Sequence, residues 1–100
     1  MKETALMFEI RKALADTGRV MLWRNNCGVD LERKVRYGLG LGSADLIGVL
    51  KPSGRFIAFE VKTPVGRLRP DQKLWIDAVR AAGGLAFVVR SAEEALACLP

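Results

Sequence analysis

Asp45, Glu60 and Lys62 form the most reactive combination of side chains in this sequence. Asp45 opens the run DLIGVL, Glu60 and Lys62 fall near the end of the run RFIAFEVKT, and Lys51-Pro52-Ser53-Gly54 lies between them. Turn formers between two β-rich runs predict a hairpin. With that turn Leu50 faces Arg55, and counting back along both strands sets Asp45 directly opposite Glu60. Side chains alternate along a strand, so Lys62 shares the face of Glu60, beside apolar Ile47, Val49, Phe56 and Ala58. Two opposed carboxylates repel: at about 5 Å and an effective dielectric near 20 the cost is about 3 kcal/mol. Mg²⁺ or Mn²⁺, which takes hard oxygen ligands, removes that cost. Lys62 is then placed to orient or deprotonate an attacking water, or to neutralise charge developing on a phosphate. The plainer alternative is that Lys62 pairs with the two acids and no metal binds. The apolar surroundings of the acids favour the metal.

Composition narrows the chemistry further. The 100 residues contain no histidine, which removes Ser-His-Asp and Cys-His nucleophile systems, His-ligated zinc and nucleases with a histidine base. Cys27 and Cys98 form no CxxC and are expected to be free thiols in a reducing cytoplasm. Glu3, Glu9, Arg11 and Lys12 interrupt the N-terminal segment, so no signal peptide is expected, and no apolar run approaches a membrane span. Lys and Arg number 16 against 11 Asp and Glu, a net charge of +5 that favours a polyanionic partner, nucleic acid before membrane. A merely soluble basic protein would show the same balance.

The elements that must position these residues follow from periodicity and punctuation. Leu6, Met7, Ile10 and Leu14 recur at helical spacing over 3–17, and Gly18 ends the pattern. A short strand is predicted over 19–23. The polar, glycine-rich stretch 24–42 reads as a loop, with a short strand near Val35 to Tyr37. The two hairpin strands are apolar on both faces, which predicts helices above and below a central sheet. After a Pro/Gly/Arg connector, Pro70 opens a second helix that stops before Gly83-Gly84. Leu85 to Arg90 is a buried strand, and Ser91 caps a last helix. The expected product is one α/β domain over 1–100, in the order αβββαβα.

Two more polar residues face inward on this reading. Glu3 lies on the apolar stripe of the first helix, whereas Glu9 points away, and Gln72 aligns with Trp75, Ile76 and Val79 on the second. Dipole compensation for Glu3 and a satisfied polar residue at a helix start for Gln72 explain their positions equally well.

The acid–x–Lys arrangement Glu60-Val61-Lys62 after Asp45, with a helical acid before it, resembles the PD-(D/E)XK nuclease superfamily. The segments WRNNCG, RYGLGLGSADLIGVL, GRFIAFEVKTPVGRLRPDQ and AAGGLAFVVRS, in that order, resemble more narrowly a stand-alone VRR-NUC domain. The resemblance implies a restriction-endonuclease-like core, with a central four-stranded mixed sheet flanked by helices, and Mg²⁺- or Mn²⁺-dependent phosphodiester hydrolysis. It implies that Asp45, Glu60, the Val61 backbone carbonyl and Glu3 hold the metal, that Lys62 is the catalytic lysine, and that Gln72 joins the site. Ala44 stands where the superfamily has the proline of its name; that proline shapes a turn and is not a ligand. Stand-alone members resemble Holliday-junction resolvases, which implies a homodimer able to cut two strands.

Arg24, Arg33, Lys34 and Arg36 before the acids, and Arg67 and Arg69 after them, are expected to grip phosphates, giving salt-dependent binding with little sequence information. The leading expectation is a metal-dependent endonuclease for branched DNA, four-way junctions or flaps. The alternative is a nucleic-acid-binding or scaffold module that keeps the fold without turnover.

Overall fold

A computed structural model of the chain describes residues 2–100. Its elements are α1 (Glu3–Asp16), β1 (Val20–Arg24), β2 (Gly28–Asp30), β3 (Val35–Tyr37), β4 (Leu46–Leu50), β5 (Phe56–Val61), α2 (Pro70–Ala81), β6 (Leu85–Val89) and α3 (Ala92–Ala97). The main sheet has the strand order β1-β4-β5-β6. β1 and β5 run antiparallel to β4, and β6 runs parallel to β5. The β4–β5 register pairs Leu46 with Phe59 and Val49 with Phe56, as the turn length predicts. The parallel β5–β6 pair requires a crossover, which α2 supplies.

Both faces of the sheet are covered because its strands are apolar on both faces. On one side Leu6, Met7, Ile10 and Leu14 of α1 and Ala95 of α3 pack with Leu46, Leu50, Ile57, Phe59, Val61 and Val89. On the other, Ile76 of α2 packs with Ala44, Ala58 and Ala86, backed by Ile47, Phe56 and Trp75. Phe59, Ile10 and Leu14 are fully buried, each contributing about 1.5–3 kcal/mol by leaving water. The Ser91 hydroxyl accepts the Glu94 amide at 3.0 Å, which caps α3 as expected.

One segment departs from expectation. The stretch read as a loop with one strand folds into a two-stranded antiparallel ribbon, β2 paired with β3, separate from the main sheet. The strand at Val35–Tyr37 is present; its partner Gly28–Asp30 was not foreseen. Three residues in which Val29 alone favours a strand are too few to show alternation, so nothing local announces β2. Among the described residues no helix is long and apolar enough to cross a membrane.

Candidate metal centre

The site lies at the end of the β4–β5 hairpin opposite its turn. Asp45 stands just before β4, on a loop tied to the end of β1. The Asn25 amide donates to the Asp45 carbonyl at 2.8 Å, and Asn25 Nδ2 donates to Ser43 Oγ at 2.8 Å and to the Ala44 carbonyl at 2.9 Å. Gly42, with φ +80°, lets this loop lie against the first turn of α2, where a Cβ would meet the Asp71 carbonyl. Ala44, in the position of the superfamily's proline, is buried among Ala58, Ile76 and Ala86.

Glu60 on β5 and Lys62 just past its end continue the alternation on the α2 face, both buried at 2% and 7% exposure. Asp45 Oδ2 accepts the Val61 amide at 2.9 Å. In an extended strand the N–H and C=O of one residue point to the same side, so the Val61 carbonyl also faces the Asp45 side. Glu60 Oε1 accepts Gln72 Nε2 at 3.3 Å and lies 3.9 Å from Lys62 Nζ. Gln72 Oε1 in turn accepts the Arg69 amide at 2.9 Å, so this side chain both closes the start of α2 and holds Glu60. Glu3, exposed in the first turn of α1, reaches the same point: Glu3, Asp45 and Glu60 each offer a carboxylate oxygen within 4.8 Å of the other two.

The electrostatics of this cluster are unfavourable without a cation. Burial pushes the Glu60 carboxyl up to about 9, aided by the neighbouring Asp45 and Glu3 carboxylates, with Lys62 opposing. Glu60 Oε2 is buried and has no hydrogen-bond partner among the described residues. An acid kept in a place that penalises its ionisation, with one oxygen unsatisfied, fits a hard divalent cation. The donor set of carboxylates and a carbonyl is the oxygen chemistry of Mg²⁺ and Mn²⁺.

A cleft of about 390 Å³ opens above these residues, and Arg36 and Arg69 line it. Arg69 is held by Asp71, at 3.2 Å from Nε to Oδ1. Arg24, Arg33, Lys34 and Arg67 are exposed and lie outside the cleft lining, and Arg33 faces Asp30 at 3.8 Å. Of the six basic residues grouped by sequence, two therefore reach the site. Sequence reasoning missed Asn25 and Ser43, which hold the Asp45 loop, and Tyr37, which lines the cleft from the ribbon. The available signals were a polar pair next to the acid's loop and the chain's single tyrosine.

The VRR-NUC domain family model matches residues 7–93, which include Asp45, Glu60, Lys62 and Gln72. The chain belongs to the VRR-NUC domain family. A solved chain described as a VRR-NUC domain superposes with a TM-score of 0.66 at 21% identity, covering 95% of this chain and 90% of that one. At that identity the likeness concerns the fold, and the four-stranded mixed sheet flanked by helices is accordingly a VRR-NUC nuclease-type fold. No curated protein matches. Glu3 precedes the stretch that the VRR-NUC model covers, so the family match does not bear on its place in the acidic cluster, which the geometry gives.

Proposed function

We propose that this VRR-NUC chain, acting as one domain over 1–100, is a divalent-cation-dependent endonuclease selective for branched DNA, four-way junctions or flaps, and that it works as a homodimer. The observation that carries the proposal is the convergence of Glu3, Asp45 and Glu60 on one point beside Lys62, with Glu60 Oε2 left without a partner among the described residues. Asp45, Glu60, Glu3 and the Val61 carbonyl would hold Mg²⁺ or Mn²⁺. When bound, the cation stabilises negative charge on the phosphoryl and leaving oxygens.

The protein's own groups do the rest. Gln72 fixes the Glu60 carboxylate from α2, and Val61 fixes Asp45 through its amide. The Lys62 ammonium, held at the cleft floor, orients the attacking water or offsets charge on the phosphate. Arg36 and Arg69 position the phosphates flanking the scissile one, while Arg24, Arg33, Lys34 and Arg67 add attraction from outside the cleft. A reducing cytoplasm, with Cys27 and Cys98 as free thiols, is part of the same proposal.

The test is cleavage of a labelled four-way junction, a flap and a linear duplex, with Mn²⁺ or with EDTA, alongside Glu60→Ala. Cutting of the branched substrates only with Mn²⁺, and absent in the variant, is the expected result. Binding without cutting under every cation tried contradicts the nuclease reading and favours the scaffold alternative.

A further inference from the structure

The floor and the wall of the cleft differ in chemistry. The floor carries Glu3, Asp45, Glu60, Lys62 and Gln72, whereas the wall contributed by the ribbon and the following glycine loop sets Val29, Tyr37 and Leu41 beside Arg36. Val29, Tyr37 and Leu41 are exposed, at 44%, 48% and 69%. Tyr37 pairs across the ribbon with Gly28, and its ring tip occupies the space of the missing side chain: a Cβ on Gly28 would lie 2.7 Å from Tyr37 Oη. The glycine therefore seats the ring over the strand, while about half of the residue remains open to solvent. A ring placed in this way has one side supported by backbone and surface left for a ligand.

We infer that Tyr37 is a stacking platform for one unpaired base of the DNA strand whose phosphate occupies the acidic floor, and that this contact is a source of selectivity for branched substrates. The inference rests on the nuclease reading for the identity of its ligand. A nucleotide carries both chemistries that the cleft offers: a phosphate for the floor with Arg36 and Arg69, and an apolar π-face for the wall. A volume of about 390 Å³ is at the small end of ligand clefts, the scale of one small molecule. In an intact duplex the bases are stacked and paired, so reaching Tyr37 requires extrusion, which stacking on a single ring repays poorly. At a flap or junction the nucleotide next to the branch is already unpaired, and the same contact is then pure gain. Selectivity arises without any hydrogen-bond readout of the base, so it is tolerant of sequence.

The test places 2-aminopurine at successive unpaired positions of a flap and at the matching positions of a fully paired duplex, with Ca²⁺ present. Wild type should quench its fluorescence at a position adjoining the branch and leave the duplex signal unchanged. Tyr37→Phe should keep the quench. Tyr37→Leu, which retains an apolar residue over Gly28, should lose it, and flap affinity should fall about tenfold with duplex affinity unchanged. A quench that survives in Tyr37→Leu, no quench in wild type, or an equal loss of flap and duplex affinity overturns the inference. Cutting in Mn²⁺ is scored on the same preparations. Quenching that depends on Tyr37 without any cutting would sink the nuclease reading and leave the base platform; cutting without quenching would do the reverse.

Discussion

β5 buries Ile57, Ala58, Phe59 and Val61 with no measurable exposure, whereas every residue of β3 is exposed and β2 buries none fully. Both regions line the same cleft, the sheet with its acids and lysine and the ribbon with Arg36 and Tyr37. The difference follows from what each must do. Opposed carboxylates and a buried ammonium stay in place only if the strands beneath them cannot give, and a sheet packed on both faces provides that. A ribbon with few buried contacts is weakly held and belongs to the low-stability end of the molecule, where ligand-contacting segments are usually found. On the proposed function, Asp45, Glu60 and Lys62 stand at the end of the tightly packed sheet, while Arg36 and Tyr37 reach the substrate from the loosely packed ribbon.

The strongest way to break this contrast is in the sheet. Phe59→Ala removes a fully buried ring and should cost about 3–5 kcal/mol in urea unfolding, a large part of the stability of a domain this size. A loss below about 1 kcal/mol would mean that the sheet is not the rigid partner.

At the end of that sheet, Lys62→Ala should lower cleavage by about 10²–10⁴-fold while far-UV circular dichroism and DNA affinity change little. Full activity in this variant would remove the lysine from the reaction.

Glu60 supplies a test by pH. In the metal-free protein its carboxyl titrates near 9 instead of 4.5, so between those values the folded state holds a proton that the unfolded chain has released. The stability from this proton is fully present below about 4.5 and is lost progressively as pH rises to about 9. The metal-free melting temperature should therefore fall across that window, and Mn²⁺ should reverse the fall by replacing the proton. A Glu60→Gln variant should lack this component of the pH slope.

Within the ribbon, Arg36→Ala should weaken DNA binding and reduce the salt slope by about 1, measured by fluorescence anisotropy against salt concentration. Arg33→Ala, outside the cleft lining and facing Asp30, should do less. The smallest effect is expected at Leu31, 85% exposed between the two ribbon strands. Leu31→Ser should change stability by no more than about 0.5 kcal/mol in the same urea experiment.

The same division decides what could be read from sequence. The order of the major elements, the β4–β5 register and the two covered faces were all legible, because Leu46 to Leu50 and Phe56 to Val61 carry long apolar signals and a four-residue turn counts them into register. The proximity of Asp45 and Glu60 followed from that count, and the inward position of Gln72 from the stripe of α2. The ribbon was not legible as a ribbon. Gly28–Asp30 is too short for a pattern, and its partner strand is wholly exposed. Arg24, Arg33, Lys34, Arg36, Arg67 and Arg69 looked alike in sequence, because charge says nothing of direction until the backbone is placed; only Arg36 and Arg69 reach the cleft. Asn25 acts through Ser43 and the Ala44 carbonyl, contacts 18 and 19 residues away that no local spacing encodes.

The central claim is that the acids at the end of β4 and β5 form a cation site. It is tested most directly by titrating Mn²⁺ calorimetrically into the wild-type protein, Asp45→Ala and Glu60→Ala, each checked for folding by circular dichroism. Saturable binding to the wild type, accompanied by a rise in melting temperature and absent from both variants, is the predicted result. Equal binding by all three proteins, or no binding by any of them, would contradict it.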